Sequence, residues 1–286
     1  MKSITARRRH PLARYAVLFL ALLLFGGGYA FLAPVGGKAD ASIAQGANAV
    51  DDIAEGKKIF EATCASCHGV NAEGTAMGPS LIGVGAASVD FQISTGRMPA
   101  AAPAAQMPRK AIAPVFELPL DQRKPGQPTI DTKKVAQVAA FIQSLGGGPT
   151  VPTDADVDPA TGNAAKGGEL FRANCIQCHN FVGSGGALTG GKHAPDLGKA
   201  SAKEIYEAMI TGPQAMPVFN DSVITPQEKR DMIAYILAVQ NQPHPGGASL
   251  GVIGPVTEGL AAWVVGIGLL VLAAIWITAK RRQVND

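Results

Sequence analysis

The chain carries one short pattern twice. CASCH supplies Cys64, Cys67 and His68, and CIQCH supplies Cys175, Cys178 and His179, 111 residues later. These are its only four cysteines, so none remains to build a disulfide scaffold. A Cys-x-x-Cys pair serves three chemistries: a redox disulfide, half of a zinc site or, with His directly after it, a covalent attachment site for haem. A single four-cysteine zinc site would have to join pairs separated by 107 residues. It would also have no use for a His beside each pair. A thioredoxin-like redox pair expects a β-α-β setting, which neither flank offers. Haem accounts for every residue of the pattern. Two thioethers tie the macrocycle to the chain, and the next residue, His68 or His179, lies under the iron as the proximal ligand.

The flanks repeat as well. GKKIFEATCASCH is matched by GGELFRANCIQCH, with Phe60 and Phe171 each four residues before the first cysteine. Gly78–Leu81 (GPSL) answers to Ala194–Leu197 (APDL), and TGRMP (Thr95–Pro99) to TGPQAMP (Thr211–Pro217). Each copy closes on an amphipathic helical pattern. The first is Val135, Val138, Phe141, Ile142 and Leu145, stopped by a run of three glycines. The second is Met232, Ile233, Tyr235, Ile236 and Val239, preceded by Thr225, Pro226 and Glu228 as N-cap, N1 proline and N3 glutamate. Each copy therefore reads as helix, cysteine–histidine motif, loop, Met-Pro and final helix.

The repeat also selects the sixth iron ligand. Met77, Met98 and Met107 are candidates in the first copy, and Met209, Met216 and His193 in the second. Only Met98 and Met216 share the Thr-Gly…Met-Pro frame. A His–Met ligand set raises a haem's reduction potential. Pro79 and Pro195 follow their histidines by 11 and 16 residues; a backbone carbonyl near such a proline is a candidate acceptor for the proximal ring proton, orienting the imidazole, and a plain turn is the alternative reading. His193 and His10 read as ordinary exposed residues, and His244 as part of a linker. The segment from Ala100 to Pro128 has six prolines in 29 residues. It reads as an irregular surface loop, either a docking surface or a tolerated insertion.

The formal charge of +3 misleads, because the basic residues collect at the ends. Residues 15–279 hold 17 Lys and Arg against 21 Asp and Glu. No basic patch is left for a nucleic acid. The cationic ends flank two uncharged apolar runs, Tyr15–Ala33 and Gly259–Ala279. The second is long enough to span a bilayer and meets Lys280, Arg281 and Arg282 at once. The first is either a retained anchor or a signal peptide cleaved near Ala39–Ala41. In both cases the intervening region, about 42–255, is expected outside and the C-terminus in the cytoplasm. The expected layout is an N-terminal anchor or signal (1–41), a first haem domain (50–147), a linker (148–163), a second haem domain (164–242), a linker (243–258), a transmembrane helix (259–279) and a tail (280–286). The expected fold class is mainly α, and the two copies resemble tandem class I cytochrome c domains, with an N-terminal membrane or signal segment and a C-terminal transmembrane helix.

The order of CASCHG, GPSLIGVG, STGRMPA, GGELFRANC, GPQAMPVF, EKRDMIAYI and IGPVTEG resembles the dihaem cytochrome c subunit of actinobacterial cytochrome bcc complexes over nearly the whole chain. That resemblance implies two covalently bound c-type haems, held by Cys64 and Cys67 and by Cys175 and Cys178. His68 with Met98, and His179 with Met216, would be the axial pairs. It also implies a membrane complex, dimeric, with a cytochrome b subunit and a Rieske iron–sulfur subunit. Electrons from menaquinol would reach the first haem from the Rieske cluster, and the second haem would pass them to a haem-copper cytochrome oxidase. The chain itself would do no substrate chemistry. A stand-alone dihaem peroxidase or small-substrate dehydrogenase is the competing reading. It needs an open or His-ligated iron.

Overall fold

The computed structural model describes residues 19–20, 39–242 and 255–284. The expected N-terminal segment 1–41, with its apolar run 15–33, lies outside the described residues except for 19–20 and 39–41. His10, His244 and residues 243–254 of the second expected linker lie outside them too.

The first copy of the repeat comprises helices α1 (Ala39–Thr63), α2 (Ala65–His68), α3 (Ala86–Ser94) and α4 (Thr132–Ser144). The second comprises α5 (Asp154–Val157), α6 (Ala164–Asn174), α7 (Ile176–His179), α8 (Ala202–Thr211) and α9 (Pro226–Gln240). A hairpin of β1 (Gly186–Ala187) and β2 (His193–Ala194) follows α7, with Gly186 opposite Ala194. Helix α10 (Pro255–Val284) follows.

The closing helices form where their spacing places them. Val135, Val138, Phe141 and Ile142 of α4 are buried. Gly147 and Gly148, both at positive φ, carry the chain away, a conformation that glycine adopts without steric cost. At α9, Thr225 and Glu228 make the expected capping box, and Pro226 occupies the first turn. In each copy the closing helix crosses the helix that leads into the cysteines. The crossing is close because of one glycine. A Cβ on Gly56 would run into the Gln137 carbonyl, and one on Gly167 into the Asp231 carbonyl. Beside each crossing lies a tilted aromatic pair, Phe60 on Phe141 at 5.3 Å and 51° and Phe171 on Tyr235 at 5.4 Å and 45° between rings. Two separate apolar cores result, one around Phe60, Phe116 and Ile142, the other around Phe171, Met232 and Ile233.

Two helices, α3 and α8, were not expected from the pattern. The α8 signal was present in the sequence, since Ser201 and Glu204 form a capping box of the S-x-x-E kind. Helix α3 has no such cue, because Gly85 caps it without a side-chain hydrogen bond. The two helices meet. There Lys203 of α8 pairs with Asp90 of α3, and Lys203 Nζ lies 3.9 Å from Glu207 Oε1. Glu207 is 1% and Asp90 7% exposed.

The segment 148–163 is ordered. Thr153 and Asp156 cap α5, Val151 packs on the first core and Val157 on the second. Gln227 Nε2 donates to the Thr161 carbonyl at 3.0 Å. The proline-rich segment corrects the surface-loop expectation in part. Its start is exposed, but Phe116 is wholly buried in the first core. A short antiparallel bridge joins Glu117 to Ile130, and Arg123 pairs with Glu117 at 2.7 Å. A phenylalanine among prolines gives no periodic signal, so only the tertiary contact reveals it.

Along α10, Thr257–Ala279 is long and apolar enough to cross a membrane. Its side chains are exposed nearly throughout, with Trp263 and Trp276 toward the two ends. An apolar helix whose described side chains are exposed nearly throughout has the character of a membrane anchor.

Candidate haem sites

Each motif sits on a one-turn helix, α2 or α7, directly after a longer one. After each histidine the chain reverses through a shared loop. Gly69 and Asn180 follow the histidines at φ 82° and 67°; Ala72 and Gly183 lie at 58° and 77°; Gly74 and Gly185 lie at 89° and 82°. Left-handed residues at the same three offsets give the same path. Gly74 N–H donates to His68 C=O at 2.7 Å, and Gly185 N–H to His179 C=O at 2.9 Å. Leu81 N–H donates to Ala72 C=O at 2.8 Å, and Leu197 N–H to Gly183 C=O at 2.7 Å. This loop repeat was legible as G-x-x-A-x-G beside N-x-x-G-x-G, but its meaning required the backbone angles.

The loop brings a prolyl carbonyl to each imidazole. His68 Nδ1 lies 2.7 Å from Pro79 O, and His179 Nδ1 lies 3.1 Å from Pro195 O. A carbonyl only accepts, so Nδ1 carries the proton and Nε2 keeps its lone pair. This is the tautomer of a metal-ligating histidine with its second nitrogen anchored. The equivalence holds although Pro195 lies five residues further from its histidine than Pro79 does. The hairpin β1–β2 takes up the difference. Gly78 and Gly186 both lie against the carbonyl of the second cysteine, Cys67 or Cys178, and have no room for a Cβ.

The thiols argue against redox-disulfide chemistry. No cysteine is in a disulfide. Burial, then the neighbouring Cys67, pushes the Cys64 thiol up to about 11. Burial and Cys178 push Cys175 up to about 11. Nucleophilic Cys-x-x-Cys thiols are held low instead. Burial also draws His179 below the ordinary imidazole range, opposed by its bond to Pro195. The zinc alternative finds no site either. Among the described residues, no group of three or more His, Cys, Asp or Glu converges as metal ligands.

The methionines separate by environment. Met209 is buried in the second core and Met77 is half exposed. Met98 and Met216 are both partly buried. Both follow a helix closed by a threonine, the C-cap Thr95 after α3 and the last residue Thr211 of α8, each bonded back to the preceding turn, Thr95 Oγ1 to Phe91 C=O at 2.5 Å and Thr211 Oγ1 to Glu207 C=O at 2.6 Å. A left-handed glycine follows, Gly96 or Gly212. Next to Met98, Arg97 is 8% exposed and lies over the Phe91 ring at 4.8 Å. Among the described residues its Nη1 has no hydrogen-bond partner, and burial lowers its pKa. A buried cation with an unmatched N–H suits an anionic group such as a haem carboxylate. The donor set of thiols, anchored imidazole and thioether, with this guanidinium, fits a covalently held haem.

His193 is exposed, as expected, and Met107 is held in the proline-rich segment. An open cleft of about 550 Å³ beside α3 and α4 is lined by Asp90, Gln143 and Lys203, with no residue of either motif.

Comparison with known proteins divides the chain in the same way. Residues 53–146 match the family model described as cytochrome c, and residues 162–236 match that of cytochrome c oxidase, cbb3-type, subunit III. The chain is 42% identical to the cytochrome bc1 complex cytochrome c subunit of Mycobacterium tuberculosis over 280 residues, covering 96% of this chain and 93% of that one. It is 42% identical to the subunit of the same name from Mycobacterium leprae, covering 92% and 86%. Against that from Corynebacterium diphtheriae it is 39% identical, covering 98% of both chains.

Proposed function

Since the chain belongs to the family of cytochrome bc1 complex cytochrome c subunits, and so transfers electrons within such a complex, we propose that it is a two-haem relay. It would take electrons from a Rieske iron–sulfur subunit beside a cytochrome b subunit and deliver them to a haem-copper cytochrome oxidase. As a subunit of a menaquinol–cytochrome c reductase, a translocase, it would do no substrate chemistry of its own. Cytochrome c domains imply covalently bound c-type haem; we assign two. One would be attached through Cys64 and Cys67 with His68 and Met98 as axial ligands, the other through Cys175 and Cys178 with His179 and Met216. A bound haem supplies a one-electron carrier at each site.

The single observation that carries this reading is the matched pair of anchored imidazoles. In both copies Nδ1 is tied to a prolyl carbonyl and Nε2 is left to coordinate. A lone cytochrome domain would need one such site, and a relay needs two. The partly buried methionine in each copy disfavours the peroxidase or dehydrogenase alternative, which needs an open or His-ligated iron. The proposed domains are 50–147 and 164–242. They would face the extracytoplasmic side, with α10 as anchor, the C-terminus in the cytoplasm and the whole complex dimeric.

The test is direct. Denatured protein should hold two haems per chain by mass and haem stain, and Cys64→Ala with Cys67→Ala should leave one. Protein with one haem or none before mutation refutes the relay. Co-purification of the chain with cytochrome b, Rieske and oxidase subunits from solubilised membranes tests the partners.

A further inference from the structure

Besides the β1–β2 hairpin of the second copy, the two copies depart from their common frame at two places. After Met98-Pro99 the first carries the proline-rich segment, and the second has two extra residues between its Thr-Gly and Met-Pro pairs. These departures touch each other. Gln214, within the extra residues, accepts from Met107 N–H at 3.1 Å and donates its amide to Met107 C=O at 2.8 Å. Gln106 treats the second copy in the same way. It accepts from His193 N–H at 2.9 Å and donates to His193 C=O at 2.6 Å. Arg109 adds an ion pair to Glu204 at 2.6 Å.

Each glutamine amide satisfies both the donor and the acceptor of one backbone residue, which fixes orientation as well as separation. The ion pair is partly solvated, with the Arg109 side chain 45% exposed, so it adds less. Gln214 holds a left-handed φ of 60°. A non-glycine residue keeps that conformation only where its surroundings favour it, and the paired side-chain bonds to Met107 form from that conformation. Met107 stands nine residues after Met98, and Gln214 two before Met216. Along the chain the two methionines are 118 residues apart.

We propose that residues 106–109 form a strap that clamps the Met98 loop to the Met216 loop, making Gln106 and Gln214 positioning residues for electron transfer between the two haem sites. The inference rests on the proposed methionine ligation. Contacts between domains of one chain are by default separable when they are polar, and tunnelling falls off exponentially with separation. A side-chain clamp at the two ligand loops holds that separation where the covalent linker alone would let it vary.

The experiment uses the whole complex with Gln106→Ala and Gln214→Ala combined in this chain. Two readouts are taken on oxidised protein. They are hydrogen exchange over 100–110 and 211–217, and the distribution of distances between the two ferric haems by pulsed electron paramagnetic resonance. The double variant should lose exchange protection in both segments by roughly tenfold or more, the effect of removing a few ordinary hydrogen bonds. Its distance distribution should broaden while the methionine–iron charge-transfer band persists. Gln214→Glu alone keeps the acceptor for Met107 N–H and loses the donor, so its protection should fall between wild type and double variant. Unchanged protection and an unchanged distribution in the double variant overturn the strap. Absence of the methionine–iron band in the wild type would refute the ligand assignment instead, and the exchange data would still decide the clamp.

Discussion

Replacing Glu207 by Gln should stabilise the contact between α3 and α8, and more so as pH rises. Glu207 is almost wholly buried against Asp90. As two ionised carboxylates both would be acceptors only, and Glu207 Oε1 has no donor. A proton shared between them supplies one. Burial, then the hydrogen bond and charge of Asp90, push Glu207 up to about 10, while Lys203 opposes the shift. When the contact opens, Glu207 returns toward the ordinary carboxyl value of 4.5. Between those two values the closed state binds a proton that the open state does not, so rising pH weakens the closed state. The limit is ~1.4 kcal/mol, or tenfold in the opening equilibrium, per pH unit. Lys203, which is 44% exposed, will reduce it. Gln at 207 donates as the protonated acid does and does not titrate. The assay is hydrogen exchange of α3 and α8 amides at pH 6, 7 and 8, variant against wild type at each pH, so that intrinsic exchange rates cancel. The protection ratio should climb with pH, by up to tenfold per unit. A ratio independent of pH would refute the shared proton.

Substituting Met98 or Met216 by Ala should lower the potential of one haem and leave the other nearly unchanged, since loss of His–Met ligation lowers it; a redox titration separates the two. Gly167→Ala places a Cβ against the Asp231 backbone carbonyl, which no side-chain rotation can clear, so the overpacking cost should lie in the upper part of ~1–3 kcal/mol and exceed the ~1 kcal/mol gained in helix propensity. Thermal melts should show a lower midpoint. Gly168→Ala, which meets chiefly the Tyr235 ring at 3.0 Å, should be milder. Lys229 is wholly buried, donating to Ile224 C=O at 2.8 Å and pairing with Asp221 at 2.6 Å. Asp221→Asn should therefore lower the midpoint by removing a charge from a buried cation, and Lys229→Met should recover part of that loss.

Much of the site was legible in the linear chain because its chemistry is local. The proposed attachment needs two cysteines and a histidine close together in the chain, so Cys64, Cys67 and His68 stand out, as do Cys175, Cys178 and His179. The closing helices α4 and α9 were equally readable, since one-sided burial writes a three-and-four spacing. So was the apolar run of α10. What could not be read was anything set by contacts between distant residues. The burial of Phe116, the pairing of Asp90 with Glu207 and the left-handed φ of Asn180 leave no periodic trace.

The chain alone determined that one Cys-x-x-Cys-His motif occurs twice within matching flanks, and that an apolar helix follows, because adjacency and period are properties of sequence. Only the tertiary structure decided that prolyl carbonyls 11 and 16 residues away meet the same imidazole nitrogen. It likewise decided that the proline-rich segment spans the two copies rather than hanging free. Hydrogen bonds between Gln106 and His193, or Gln214 and Met107, join residues about 90 to 110 positions apart. Such pairings depend on how two separately folded cores pack, and no local propensity encodes that.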